Sequence, residues 1–334
     1  MSQSDVRPDR IFQYWFGYAA PLMLEAGVRH KIFDALDAGP TTAEQVAAAT
    51  GTSPRGVRIL LNGLAGLEIL RKSGDQYSLT PESAKFLVST KPSFMGGILR
   101  HTSTILPNWL KLADAVKTGK PTKAVNQEST GAEFFRDFVE DMFPMGIAAS
   151  KQLAESLDLK STSGPVKVLD IAAGSGVWSI PLAQKYTNAR VTVVDWEGVI
   201  PACQKVTKRM GVGDRYEFKP GDLMAVDFGK GYHVATLGHI LHSEGEERSR
   251  KLIKKVAGAL APGGTIVIAE MIPNDDRSGP PHALIFAVNM LVHTDAGDTF
   301  TFAEMSRWLK EAGFSNVRTL DTPTPSPLIL ATKP

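Results

Sequence analysis

The sequence predicts a chain of two domains: a helix-rich module with a winged-helix outline over residues 1–100, then an α/β domain with a mostly parallel sheet over residues 101–334. Three observations carry this reading. Capped helices and a two-stranded ribbon fill the first hundred residues, seven apolar runs of strand length alternate with helical stretches from residue 165 onward, and the first of those runs ends in a glycine-bearing turn. With 334 residues, 43% of them hydrophobic, each domain can bury a core of its own.

In the first domain, Thr42 with Gln45 forms a capping box ahead of EQVAAAT, and Gly51 closes that helix. Ser53 and Pro54 open the next helix, in which Val57, Leu60, Leu61 and Leu64 recur at helical spacing. EILRKSGDQYSLT then reads as two short strands around a Ser-Gly-Asp turn. A winged helix suggests DNA binding, yet residues 1–100 hold 11 Lys/Arg against 9 Asp/Glu, and the second helix offers only Arg55 and Arg58. The aromatic stretch Ile11, Phe12, Tyr14, Trp15, Phe16 and Tyr18 points instead to homodimerisation, or to packing within its own chain. Lys and Arg exceed Asp and Glu by two (37 against 35), so neither nucleic acid nor an acidic membrane is an expected partner. No run of 18 apolar residues and no secretory signal is apparent, and Cys203 is the lone cysteine; a cytoplasmic location and no disulfide follow.

The polar stretch KTGKPTKAVNQESTG, residues 117–131, reads as a connecting loop. EFFRDFVEDMFPMGIAASKQLAESLDL reads as helical with a break or kink at Pro144. From residue 165, VKVLDIA, RVTVVD, YEFKPGD, HVATLGH, GTIVIAE, NVRTLDT and PLILATK are the expected strands, the last two being placed to form an antiparallel pair at one sheet edge.

Chemistry concentrates at the ends of these strands. Asp170-Ile-Ala-Ala-Gly174-Ser-Gly176 follows the first strand, where glycines permit a tight turn and the next helix offers its N-terminus to a polar ligand. A dinucleotide fingerprint would need a third glycine where Ser179 stands. Asp195 ends the second strand, 19 residues after Gly176, where a carboxylate can accept both ribose hydroxyls of a nucleoside. Gly221-Asp222-Leu223 closes the third strand, and Trp196 can add an aromatic face.

The segment GHILHSEGEERSRKLIKKVAGALAPGGTIVIAE resembles the class I S-adenosylmethionine-dependent O-methyltransferases of the caffeic acid and acetylserotonin type, and the resemblance spans nearly the whole chain, the winged-helix dimerisation module included. It implies a Rossmann-like domain with a seven-stranded sheet, S-adenosylmethionine as cofactor and S-adenosylhomocysteine as product. Asp170, Gly174, Gly176, Asp195, Trp196, Asp222 and Leu223 fall at its cofactor positions, with Ala172 in place of the first glycine. His242 falls on the catalytic histidine and Glu270 on one of two acids flanking it. The other acid position carries Thr299, with Asp295 or Asp298 as possible substitutes, and Ser243 stands where the family has aspartate. Met142, Asn289 and Met290 align with acceptor-pocket positions, and His239 is expected to line the same pocket. With no carboxylate cluster or histidine pair at metal-ligand spacing, no metal is expected.

The expected reaction is methyl transfer to a hydroxyl of a small, aromatic acceptor with His242 as general base. A family member acting on nitrogen or carbon, or on a reaction other than methyl transfer, is the alternative; a winged-helix regulator is a third reading, which would bind DNA in a salt-dependent way.

Overall fold

The computed structural model describes residues 6–159 and 164–334, and it divides into two compact units, residues 1–106 and 107–334. The first unit begins with helices Asp9–Trp15 (α1), Ala19–Arg29 (α2) and Ile32–Ala35 (α3) and the short strand Thr41–Thr42 (β1). Helix Ala43–Thr50 (α4) starts at the predicted capping box, with the Thr42 side chain and Gln45 each bonded to the other's backbone N–H, and it ends at Gly51 in the left-handed region. Helix Pro54–Gly66 (α5) is capped by Ser53 as expected. Strands Leu70–Ser73 (β2) and Gln76–Leu79 (β3) form the antiparallel ribbon, to which β1 adds, giving the order β1-β3-β2. Helix Pro81–Phe86 (α6) follows. Phe33, Val46, Leu61, Leu64 and Tyr77 close the core. The aromatic stretch stays outside it: Tyr14, Trp15 and Phe16 are 74%, 66% and 57% exposed, so packing within the chain does not account for them.

Helices Thr102–Trp109 (α7) and Leu112–Thr118 (α8) precede a loop over residues 119–127, shorter at both ends than the predicted 117–131. The 29-residue helix Glu128–Ser156 (α9) then runs through Pro144, where a break or kink was expected; it does not break there. A proline removes one backbone donor and hence one helical bond. Here the turns beyond it are anchored by buried Ala149, Leu153 and Ala154, which pack into the core.

The sheet carries every predicted strand: Lys167–Ile171 (β4), Arg190–Asp195 (β5), Tyr216–Pro220 (β6), Tyr232–Gly238 (β7), Leu260–Ala269 (β8), Ser315–Leu320 (β9) and Leu328–Thr332 (β10). Their order is β6-β5-β4-β7-β8-β10-β9, with β10 antiparallel to both of its neighbours. The terminal pair thus forms as expected, with β9 at the edge. Helices Ile180–Lys185 (α10), Ile200–Arg209 (α11), Leu241–Ala259 (α12), Pro281–His293 (α13) and Phe302–Glu311 (α14) complete the unit. Two apolar clusters, one around Val168, Val193 and Val267 and the other around Leu169, Leu237 and Ile268, reflect alternate residues of the same strands. Strand order reverses between β4 and β7, the switch point at whose carboxyl ends ligands of open α/β sheets bind. Among the described residues no helix is long and apolar enough to cross a membrane.

Candidate active site

Five strand ends meet along one edge of this sheet. At the end of β4 the chain turns through Ala172, Gly174 and Gly176, all at positive φ. At Gly174 a side chain would be strained by φ +55 and would press within 3.1 Å of Val139, so glycine leaves the backbone open there. Its N–H donates to Asp195 Oδ2 at 2.7 Å, and the Trp196 N–H donates to Oδ1 at 2.7 Å. Each carboxylate oxygen still has a lone pair for a further donor. Burial lifts the Asp195 carboxyl to about 6, the two N–H groups pull it down, and the nearby Glu128 carboxylate raises it.

Asp170 is differently placed. Its carboxyl is fully buried and accepts Ser179 Oγ at 2.5 Å and Thr236 Oγ1 at 2.7 Å. Burial raises it to about 7 against the pull of those hydroxyls. Its side chain therefore braces the loop from beneath. Ser179, whose presence spoils the dinucleotide fingerprint, is one of those two donors. Trp196 packs edge-on against Phe135, with ring centroids 5.9 Å apart. Asp222 is exposed, accepts the Met224 N–H at 2.8 Å and pairs with Arg248 at 3.2 Å, while Leu223 is buried.

His242 stands in the first turn of α12, before Gly245 interrupts the helix at φ 74 and ψ 169. A Cβ on Gly245 would lie 2.6 Å from the Ala296 carbonyl oxygen, so the break needs glycine. His242 Nδ1 lies 2.6 Å from Glu270 Oε2, and the His242 backbone N–H donates to Oε1 at 3.2 Å. Burial alone would raise the Glu270 carboxyl, but His242 and His239 opposite hold it below its ordinary value. An anionic carboxylate can only accept, so Nδ1 carries the proton, and in the neutral imidazole Nε2 keeps its lone pair. Phe286 meets the His242 ring edge to face at 4.8 Å.

Asp298 reaches His242 only through the backbone, its N–H donating to the His242 carbonyl at 2.9 Å, and Asp295 is exposed and bonded to Gln127 and Lys120. Thr299 Oγ1 is buried without a partner among the described residues. The acid bonded to the imidazole is Glu270. Of the residues expected to line an acceptor pocket, Asn289 Oδ1 accepts from Trp109 Nε1 at 3.0 Å, Met290 is buried and Met142 half-buried on α9. Trp109 and Phe286 escaped the sequence reading, since neither lies in a motif.

His239 ends β7 at φ 59, its N–H donating to the Ala269 carbonyl at 2.8 Å. The fold gathers one donor atom each of His239, His242 and Glu270 within 4.8 Å of the others. The parallel register of Gly238 with Ala269 sets residues 239 and 270 side by side, a proximity no sequence spacing reveals.

A family model for the O-methyltransferase domain matches residues 109–315, and one for the O-methyltransferase dimerisation domain matches residues 12–89. The chain belongs to the O-methyltransferase family. It is an S-adenosylmethionine-dependent methyltransferase of class I, as its sheet order also has it. This O-methyltransferase is 33% identical over 313 residues to the 3-hydroxy-5-methyl-1-naphthoate 3-O-methyltransferase of Streptomyces sahachiroi, covering 90% of this chain and 88% of the relative. A candidate O-methyltransferase of known structure from Nostoc punctiforme superposes with a TM-score of 0.91 at 30% identity, covering 99% of this chain and all of the other. Human N-acetylserotonin methyltransferase, solved in complex with S-adenosylmethionine, shares the fold at a TM-score of 0.85 and 22% identity, covering 100% of this chain and 99% of that one.

Proposed function

We propose that this O-methyltransferase methylates a hydroxyl of a small aromatic acceptor, of the kind found in secondary metabolism, and that His242 removes the hydroxyl proton. One observation carries the reading: the 2.6 Å contact between His242 Nδ1 and an anionic Glu270, which leaves Nε2 as a free base at the switch point of the sheet. The cofactor, when bound, supplies a methyl group on a positively charged sulfonium. The residues present suit it. Asp195 keeps lone pairs for two ribose hydroxyls, the Gly174–Gly176 turn opens the backbone, and Leu223 with Trp196 offers apolar contact to a base. Asp222 contributes a further acceptor at the rim, and Asp170 holds the turn in shape.

Around the acceptor, Asn289, its amide oriented by Trp109, lines the pocket with Met142, Met290 and His239. A phenol has a pKa of about 10, so at neutral pH only about one molecule in a thousand is already the nucleophile. A positioned base therefore supplies most of the reactive form, and holding the oxygen in line supplies the remainder of the rate. The test is to incubate the protein with S-adenosylmethionine and a panel of hydroxylated aromatic acids and polyphenols, following S-adenosylhomocysteine release and the position of the new methyl. Transfer exclusively to nitrogen or carbon would overturn the acceptor class. Failure of S-adenosylmethionine to bind in calorimetry, with NADH as control, would overturn the cofactor site.

A homodimer through residues 1–100 belongs to the same reading. The exposed Tyr14, Trp15 and Phe16 and the matched dimerisation domain support it. Light scattering on the full chain should give a dimer, which Trp15→Ser with Phe16→Ser weakens; a monomer at micromolar concentration contradicts it. A cytoplasmic location fits the lone, buried Cys203. No nucleic acid or membrane partner enters the reading.

A further inference from the structure

We propose that His239, His242 and Glu270 form a binding site for a divalent transition-metal ion of the zinc type, and that its occupation switches methyl transfer off. The donors come from three rigid points: the end of β7, the end of β8 beside it in register, and the first turn of α12. Their donor atoms already lie within 4.8 Å of one another, against about 3.4 Å between donors around a tetrahedral zinc ion with bonds of about 2.0–2.1 Å. The His242–Glu270 pair must open slightly and the His239 ring must swing inward. No hydrogen bond holds either of its nitrogens among the described residues; the ring lies beside Trp178 at 5.9 Å and His242 at 6.2 Å, on a backbone pinned to Ala269 in the left-handed region. An unpaired imidazole beside a histidine–carboxylate pair leaves a donor in want of a partner.

A metal ion takes histidine as the neutral imidazole and glutamate as the carboxylate, so binding here would release a proton. Two imidazoles and one carboxylate suit zinc, copper or nickel and disfavour magnesium and calcium, which take oxygen donors. The ion would replace the proton that His242 and Glu270 share. His242 and Glu270 are each at least nine-tenths buried, while His239 is half-buried. Binding there ties up the proposed base and its orienting acid, and so inhibits.

This inhibitory role rests on the reading of His242 as base, whereas the site itself does not, and the experiment separates the two. Metal-free protein is titrated with zinc against a chromophoric chelator, and with cobalt(II) for its visible absorption, before any activity is measured. The expected result is one ion per chain, bound at least tenfold more weakly in His239→Asn, a variant whose side chain tolerates the left-handed backbone, and in Glu270→Gln. Millimolar magnesium should leave the cobalt spectrum unchanged. Methyl transfer by the wild type should fall in step with occupancy, while the residual activity of His239→Asn, whatever its level, should no longer respond to zinc. Absence of stoichiometric binding, or equal affinity in both variants and the wild type, would overturn the site. Occupancy without inhibition would leave the site standing, overturn the switch and count against His242 as base.

Discussion

The two halves of the sheet edge bury carboxyl groups equally deeply and treat them in opposite ways. At the ends of β4 and β5, burial carries Asp170 to about 7 and Asp195 to about 6, because their partners are neutral hydroxyl and amide donors. At the end of β8, Glu270 is just as enclosed, yet it lies below its ordinary value because imidazoles face it. What decides the charge of a buried acid here is whether its partner can carry the opposite charge. The β4–β5 half is thus built of acids that are easily neutralised, and the β8 half of an acid that keeps a histidine oriented.

The largest test of this contrast is to remove the imidazole. His242→Ala should lower turnover by roughly 10²–10⁴ while S-adenosylmethionine affinity stays near wild type, and the loss should shrink toward pH 10, where a phenolic acceptor ionises unaided. Glu270→Gln should cost less, since it leaves the base in place. Full activity of His242→Ala at neutral pH would break the assignment.

On the β4–β5 half, Asp195→Ala should weaken S-adenosylmethionine binding by an order of magnitude or more, about 1.5–3 kcal/mol for hydrogen bonds to a charged group. Its raised value also predicts a pH dependence. Ribose hydroxyls need the anion, so affinity should hold above about 6 and fall as pH drops, by about tenfold from pH 7.5 to 5. Calorimetry at several pH values would expose a flat profile, which would mean that the ribose binds elsewhere.

These contrasts mark where local signals end. The capping box of α4 and the seven strands were legible because each depends on neighbours in sequence. So were Asp195 and Glu270, each standing where a strand run stops. Continuity of α9 through Pro144 was not, because packing far along the chain outweighs one missing bond. Nor were the partners of Asp170, one nine residues away and the other 66, or the Trp109 contact to Asn289 across 180 residues. The approach of His239 to Glu270 depends on strand register, which composition does not encode.

Asp170 offers an effect of similar size, read in stability. Its folded value of about 7 lies above the unfolded value of about 4, so the folded state holds a proton that the unfolded state has lost. The resulting stability is fully present below about pH 4 and is lost as pH rises through about 7. Compared with Asp170→Asn, which cannot ionise, the wild type should lose about 2–3 kcal/mol between pH 5 and 8. Denaturant titrations of both proteins at three pH values would measure this difference. Parallel pH profiles would mean that Asp170 stays ionised throughout.

The smallest effect sits in the same turn, at Ala172. Its φ of 50 places an alanine where the related pattern has glycine, while its N–H is tied to the Val194 carbonyl at 2.8 Å, so the conformation is imposed by the sheet. A left-handed backbone costs an L-residue roughly 1–2 kcal/mol, and glycine returns roughly 0.5–1 kcal/mol of that through its freer unfolded chain. Ala172→Gly should therefore stabilise the protein by about 0.5–1 kcal/mol, a rise of about 1–3 °C in Tm for a unit of this size. S-adenosylmethionine affinity should not fall, because the turn keeps its shape and loses only a methyl group. A lower Tm would show that the alanine methyl earns more in packing against the apolar cluster beneath it than it loses in backbone strain.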